Sequence, residues 1–424
     1  MCFRPGNRGS DDMTTPGQSP DNALIESIVT HTVDELAPRG LFNFNAPRQT
    51  LMGEGAILKI GEMLGHLGVT HVLVVADRVV YEKGLMRSME RSLERAGIEF
   101  TIYPAITQEP DESVVTSATE LLTRNQADFV LGFGGGSALD AAKVIALAGS
   151  CQSSLQQLAE PGFGGRRVIG LGAVPTTAGT GSEVTDISVI MRADRKHKYV
   201  IKQVDLMPDL AIVDPGLMLN LPPLVTAATG IDALTHAIEA YAARSSHPLA
   251  KALAICAVQS IAEALPVVVG NGGDVAARLT MATAAYKAGL AFSNSGLGLV
   301  HAISHQIGAR YRLAHGIANG ILLPYVMRFN ALVCQQEYAA IAHMLGVTRT
   351  GMTQREQCMA SIDAVRQLLS DVGLPGSLAG TNIHRDDFAA IAADALEDVC
   401  IRDNPRDVTE ADIVQLLEEV CSTK

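Results

Sequence analysis

The feature that most constrains the fold is a change in sequence pattern near residue 213. Before it, short apolar runs such as HVLVVAD (71–77) and DFVLGF (128–133) alternate with segments of helical periodicity. Continuous apolar runs of this length are typical of strands buried on both faces of a parallel sheet. The alternation therefore predicts a doubly wound α/β domain with a parallel, Rossmann-like sheet.

After Pro222 and Pro223, nearly every segment is long, rich in alanine and helical in period. Aromatic residues make up only 4% of the chain, so the core must consist of small and aliphatic side chains, which let helices pack closely. The pattern predicts an all-α C-terminal domain. We expect residues 41–213 to form the α/β domain and 214–424 the helical domain. Residues 1–40, rich in Gly, Pro, Ser and Asp, are expected to be a flexible leader.

Charge and composition exclude several classes of partner. The formal net charge of -12 argues against nucleic acid as a ligand. No uninterrupted apolar run approaches the roughly 18 residues of a membrane span, and the N-terminus lacks the apolar segment of a secretory signal. The 7 cysteines have no paired spacing, which is typical of a reducing compartment. We expect a cytoplasmic protein that binds neither nucleic acid nor membrane.

A glycine-rich loop lies between a predicted strand and a predicted helix in DFVLGFGGGSALDAAK (128–143). Glycines at Gly135 and Gly136 would let the backbone approach a ligand, and the following helix would offer free N–H groups. This arrangement indicates a pyrophosphate site. The alternative is a tight turn in which Ser137 only caps the helix. The loop is not a GxGxxG fingerprint.

Two further features point to a dinucleotide. Asp77 ends the strand HVLVVAD, and a carboxylate beside the adenosine ribose would repel a 2′-phosphate and so favour NAD over NADP. The alternative for Asp77 is a helix cap after the strand. The loop VPTTAGTGSEVT (174–185) carries hydroxyls at Thr176, Thr177 and Thr180 that could bind ribose or carboxamide groups.

Histidines cluster in the helical half. Asp232 and His236 are four residues apart in TGIDALTHAIEAY, and His301 and His305 repeat that spacing, which places each pair on one helix face. His315 follows at a helix boundary. A carboxylate with imidazoles suits Fe, Zn, Co or Ni. Because five candidates exceed the four or fewer ligands that such a site needs, one should move a proton instead. The alternative is that these histidines are satisfied core residues.

Taken together, the motifs resemble the iron-containing (group III) alcohol dehydrogenase family. The resemblance runs from about Gly40 to the C-terminus. It rests on GGGSALDAAK, PTTAGTGSEVT, ATGIDALTHAIEAY and GLGLVHAISHQIGARYRLAHG in the family's order, and on the ending NPRDVTEADI. It implies a dinucleotide-binding α/β domain, a helical metal domain and an active site in the cleft between them.

The resemblance also implies roles for individual residues. The metal ligands, with iron the expected ion, would be Asp232, His236, His301 and His315, and His305 would be the active-site histidine. Cofactor contacts are implied for Asp77, Gly135, Gly136, Ser137, Asp140, Thr176, Thr177, Thr180 and Lys198. Phe292 would line the substrate cleft.

The expected function is reversible, NAD-dependent and metal-dependent oxidation of a small alcohol to its aldehyde or ketone. The expected partners are that small molecule and further copies of the chain in a homodimer or larger homo-oligomer. The alternatives on the same scaffold are a hydroxyacid–oxoacid transhydrogenase and other enzymes such as a glycerol dehydrogenase, a maleylacetate reductase or a dehydroquinate synthase. A catalytically silent regulatory homologue is a further alternative from a different class.

Overall fold

The computed structural model describes residues 41–107, 110–160, 162–192 and 198–422. Residues from Phe44 onward form a compact unit, and every helix and strand given below belongs to it. The predicted flexible leader, residues 1–40, lies outside the described residues.

The described segments contain strands and helices with the following bounds. The strands are β1 (Gln49–Met52), β2 (His71–Asp77), β3 (Glu99–Ile106), β4 (Phe129–Gly134), β5 (Gly170–Pro175), β6 (Ile187–Met191), β7 (Lys198–Lys202) and β8 (Leu210–Val213). The helices of the first half are α1 (Ile60–His66), α2 (Arg78–Glu82), α3 (Arg87–Ala96), α4 (Glu112–Arg124), α5 (Gly136–Cys151) and α6 (Leu155–Leu158). Those of the second half are α7 (Pro223–Ala242), α8 (Pro248–Gly270), α9 (Val275–Ser295), α10 (Leu299–Tyr311), α11 (His315–Asn330), α12 (Gln335–Met344), α13 (Gln354–Asp371), α14 (Phe388–Glu397) and α15 (Glu410–Ser422).

Six strands form one parallel sheet in the order β1-β8-β5-β4-β2-β3. Because β3 and β4 pair with opposite sides of β2, the direction of winding reverses between β2 and β4. Open α/β sheets bind ligands in the crevice that such a reversal leaves at the carboxyl ends of the strands. β6 and β7 form a separate antiparallel hairpin.

Helices cover both faces of the sheet, as strands without polar alternation require. Along β2, Leu73 and Val75 pack into a core with α4 and α5, whereas Val72 and Val74 pack into a core with α1 and α3. The predicted fold class, a doubly wound α/β half followed by helices, is confirmed.

The second half is helical from α7 onward and has its own core of aliphatic side chains. Among the described residues, α8 is the one helix long and apolar enough to cross a membrane, with a mean hydropathy of 2.0 over 18 residues. It packs against α7 and α9 and contributes Val258, Ile261 and Leu265 to the helical core. A core helix meets the same criteria of length and composition. The sheet ends with β8 and the helices begin with α7, while the exact domain boundaries stay a prediction.

Candidate active site

Asp77 ties the end of β2 to the glycine loop after β4. Its Oδ2 accepts a hydrogen bond of 2.7 Å from the Gly135 N–H. A Cβ at Gly134, where φ is +155°, would lie 2.2 Å from the same oxygen, so only glycine fits there. Burial raises the pKa of Asp77, and the Gly135 hydrogen bond opposes that shift. The alternative that Asp77 caps the next helix is not observed, because its side chain makes no capping hydrogen bond to α2.

The glycine loop leads directly into α5. Gly135 is the residue at the N-cap position, and Ser137 lies within the first turn of the helix. The alternative that Ser137 is the helix cap is therefore not observed. A Cβ at Gly135 would meet nothing closer than 3.8 Å. Open space beside a helix N-terminus with free N–H groups fits a pyrophosphate.

The threonine-rich loop after β5 connects the two halves of the molecule. Thr177 and Thr180 flank the glycine loop. A Cβ built at Gly135 would lie 3.9 Å from Thr177 Oγ1, and one built at Gly136 would lie 2.8 Å from Thr180 Cγ2. On its other side, Gly181 packs against Gly289 of α9, where an added Cβ would lie 2.6 Å from the Gly289 Cα. The loop therefore borders both the crevice at the strand ends and the helices.

A buried polar network anchors this loop to α5. The Asp140 carboxylate accepts hydrogen bonds from the Ser182 hydroxyl (2.5 Å) and the Val189 N–H (2.9 Å). The Lys143 ammonium, 1% exposed, donates to the Thr185 hydroxyl at 2.8 Å. Both Asp140 oxygens thus have partners within the chain, and the contact of Asp140 with the cofactor stays a prediction.

Three helices bring the four predicted metal ligands together. Asp232 and His236 lie on α7, His301 on α10 and His315 at the first position of α11, and one ligand atom of each lies within 4.8 Å of the others. Asp232 Oδ1 is 4.0 Å from His236 Nε2 and 3.6 Å from His315 Nε2. Gly316 allows this approach, because a Cβ there would lie 2.1 Å from the Ala228 carbonyl oxygen of α7.

The donor set fits a divalent cation. Burial lowers the pKa of His236, and burial together with the surrounding imidazoles lowers the pKa of His301 well below its ordinary value. Both rings are therefore neutral, the form that binds a metal. The two separations from Asp232 match those of ligands that each lie about 2.1 Å from one ion.

His305 lies one turn beyond His301 and has a different partner. Its Nδ1 is 2.9 Å from Asp398 Oδ2, and its ring stacks on His315 with centroids 5.4 Å apart. Sequence reasoning missed Asp398, which is 93 residues away along the chain. His305 faces the metal cluster and is itself held by a carboxylate.

Of the two remaining predicted residues, Phe292 lies at the cluster, where it stacks on the His236 ring at 4.4 Å. Lys198 lies at the start of β7. Burial lowers the pKa of His315 to about 4, and the positive charge of Lys198 adds to that shift.

Two more residues that the sequence analysis did not single out contact the cluster. Glu239 Oε2 lies 2.5 Å from His301 Nδ1, and Asn319 Nδ2 lies 2.7 Å from Asp232 Oδ1. Glu239 follows His236 by three residues on α7, and this helical spacing is a signal that could have identified it.

The chain matches two family models: "Iron-containing alcohol dehydrogenase" over residues 47–215 and "Fe-containing alcohol dehydrogenase family, C-terminal" over residues 226–421. It is 40% identical to a probable alcohol dehydrogenase, EutG, of Escherichia coli (strain K12), over 92% of this chain and 98% of that protein. It is 37% identical to an NAD-dependent methanol dehydrogenase of Bacillus methanolicus, over 89% of this chain and 99% of that protein. The crystal structure of a 1,3-propanediol oxidoreductase superposes with a TM-score of 0.88 at 35% identity, covering 90% of this chain and all of that one.

Proposed function

Because the chain belongs to the iron-containing alcohol dehydrogenase family, we propose how its residues carry out that chemistry and on which alcohols. The protein is an NAD-dependent, metal-dependent alcohol dehydrogenase that interconverts a small alcohol and its carbonyl product. Its substrates are short primary alcohols, in keeping with relatives named for methanol and 1,3-propanediol.

The observation that carries this proposal is the cluster of one carboxylate and three imidazoles on three helices. Asp232, His236, His301 and His315 are the ligands. When bound, a divalent ion, with iron the expected one, acts as a Lewis acid on the alcohol oxygen, and NAD accepts the hydride. Phe292 packs on His236 and borders the space for the substrate carbon.

Proton removal is assigned to His305. Its ring lies against His315 at the edge of the cluster, and 22% of its side chain is exposed. Asp398 accepts the Nδ1 hydrogen of His305, which leaves Nε2 as the proton acceptor. His305 is thus suited to carry the alcohol proton from the cleft to solvent.

NAD is held at the crevice between β2 and β4. The Gly135–Ser137 segment and the α5 N-terminus bind the pyrophosphate, Thr176, Thr177 and Thr180 contact the rest of the dinucleotide, and Lys198 borders the cleft. Asp77 excludes a 2′-phosphate by charge, since a buried carboxylate and a phosphate repel each other strongly in a partly desolvated crevice. The protein is further proposed to be cytoplasmic and to assemble as a homodimer or larger homo-oligomer.

The test is a metal analysis of protein purified without chelator, followed by steady-state assays with a series of one- to four-carbon alcohols. Continuous NADH formation that requires the metal supports the proposal. A transhydrogenase would instead turn over only when a hydroxyacid and an oxoacid are both present. Absence of metal binding and of turnover with every alcohol would indicate the catalytically silent alternative and overturn the proposal.

A further inference from the structure

His301 is held between two buried polar side chains, one on each ring nitrogen. Its Nδ1 lies 2.5 Å from Glu239 Oε2, and its Nε2 lies 3.1 Å from Asn319 Nδ2. Asn319 and His301 are 0% and 1% exposed, and Glu239 is 8% exposed. Water does not compete for these contacts, so their geometry decides where the ring hydrogen lies.

The orientation of the Asn319 amide follows from Asp232. A carboxylate oxygen accepts hydrogen bonds, so the amide atom 2.7 Å from Asp232 Oδ1 must be the amino nitrogen. That nitrogen also lies 3.1 Å from Nε2 of both His301 and His315, and its two hydrogens cannot serve all three atoms. With an ion on Nε2, the ring hydrogen of His301 would lie on Nδ1, where Glu239 Oε2 is 2.5 Å away and would accept it.

The Glu239 carboxyl group is also held in place by the backbone. Its other oxygen, Oε1, accepts a hydrogen bond of 2.7 Å from the Val300 N–H at the start of α10. Glu239 also lies on α7, the helix that carries Asp232 and His236. One carboxylate therefore sets the position of α10 relative to two proposed ligands and orients the ring of a third.

We propose that Glu239 and Asn319 are positioning residues of the metal centre. Glu239 holds His301 in the tautomer whose Nε2 lone pair faces the ion, and Asn319 holds the Asp232 carboxylate. The opposite tautomer would direct an N–H at the cation. This inference rests on the proposed metal site, and partners of this kind typically change metal affinity by 10–100-fold.

The first test is Glu239→Gln, which keeps the side-chain volume. One amide oxygen cannot accept from both the Val300 N–H and His301 Nδ1, so the amino group of the glutamine faces one of the two donors. Metal-free protein is titrated with Co²⁺, and its visible absorption reports both affinity and coordination. We expect binding about 10–100-fold weaker and an altered spectrum. The matched control is Glu337→Gln on α12, where the carboxylate pairs with Lys251.

The second test is Asn319→Leu, which removes the amino donor and keeps a similar volume. Its control is Asn330→Leu on the same helix, where an equally buried amide pairs with Asn404 instead of a ligand. We expect at least about tenfold weaker Co²⁺ binding for the first variant only. Equal weakening in both variants would assign the effect to core packing and overturn the role of Asn319.

The unmodified protein gives a third measurement that needs no variant to fold. Long-range ¹H–¹⁵N spectra of the metal-free protein, with His301 assigned by its loss in His301→Gln, report which ring nitrogen carries the hydrogen. A hydrogen on Nε2 would overturn the inference. If the unmodified protein binds no metal at all, the proposed function fails. If it binds metal and the Glu239 and Asn319 variants bind equally well, only this inference fails.

Discussion

At the scale of single residues, His301 and His305 show how one helical turn separates two roles. Both project from α10 toward the same cluster, and their rings are 5.9 Å apart. His301 is buried and held by Glu239 of α7, whereas His305 is partly exposed and held by Asp398. Exposure alone does not separate the two roles, because the side chain of the proposed ligand His315 is 42% exposed; the two rings differ in the carboxylate that holds each of them.

Replacing these histidines singly should separate the two roles. His301→Ala and His315→Ala each remove a ligand, so metal content and turnover should fall together. His305→Ala should keep most of its metal, lose turnover and change the pH dependence of the remaining rate. Metal stoichiometry and turnover, measured for each variant, distinguish a ligand from a proton carrier. His343→Ala, which replaces an exposed histidine, is the control. If His305→Ala loses its metal as completely as His301→Ala, the assignment is wrong.

Asp77→Asn should relax the choice of cofactor without disturbing the glycine loop. The amide oxygen can still accept the Gly135 hydrogen bond, while the charge that repels a 2′-phosphate is gone. We expect the preference for NAD over NADP, measured as the ratio of kcat/KM values, to narrow by at least about tenfold, or roughly 1.4 kcal/mol. Equal use of both cofactors by the unmodified protein would contradict this role.

Glu183 should make stability depend on pH. Burial raises its pKa to about 7 from an ordinary value of 4.5. The folded state therefore holds a proton that the unfolded state releases, so stability is fully present below about pH 4.5 and is lost as pH rises toward 7. Glu183→Gln should flatten this loss, on the order of 3 kcal/mol. The free energy of unfolding of both proteins is measured by denaturant unfolding from pH 5 to 8. If it depends on pH in the same way in the unmodified protein and in Glu183→Gln, the assignment to Glu183 is wrong.

At the scale of elements, two loops at adjacent strand ends form the proposed dinucleotide site. The Thr176 N–H donates to the Gly134 carbonyl oxygen at 2.9 Å. Asp140 and Lys143 of α5 form hydrogen bonds with residues 182–189. The glycine loop and the threonine loop are therefore linked by hydrogen bonds to each other and to α5.

Gly135→Val should test the pyrophosphate site without damaging the fold. A side chain there would enter the open space beside α5, whereas one at Gly136 would lie 2.8 Å from Thr180 Cγ2 and force that side chain to move. We expect Gly135→Val to lose most of its NAD affinity by calorimetry, with a near-normal melting temperature and metal content. Gly136→Val should lose stability as well. Gly164→Val, also in open space, is the control, and unchanged NAD binding by Gly135→Val would show that the loop is only a turn.

At the scale of the whole molecule, the proposed metal cluster and the proposed dinucleotide crevice lie in different halves. The proposed ligands come from α7, α10 and α11, while the dinucleotide crevice lies at the sheet. The threonine loop contacts both, through Gly181 and Gly289.

Chelation should therefore destabilise the protein without abolishing NAD binding. An ion present at 100 times its dissociation constant adds about 2.7 kcal/mol to the stability of the folded state. We expect removal of the metal to lower the apparent melting temperature and restored metal to raise it again. NAD affinity by calorimetry should change little. A melting temperature that does not respond to metal would contradict the expectation that a bound ion stabilises the packing of α7, α10 and α11.

The sequence predicted the elements that carry their own periodicity. The run HVLVVAD has the same bounds as β2, the run DFVLGF (128–133) differs from β4 by one residue at each end, and His315 lies at a helix boundary, as expected. It did not predict β1 or the β6–β7 hairpin. The edge strand β1 has four residues, and within the described part of the chain it pairs with β8 alone, which lies far along the sequence.

Local pattern alone therefore determined the fold class, the glycine loop and the five candidate residues of the metal cluster, because spacing of i, i+4 and buried apolar runs are properties of short segments. Tertiary structure decided which of them have partners and of what kind. Nothing in the sequence around Asn319 indicates its contact with Asp232, which exists because α11 packs against α7. Asp398 contacts His305 from 93 residues further along the chain. Hydrogen-bond partners on separate elements depend on how helices pack, and no single segment contains that information.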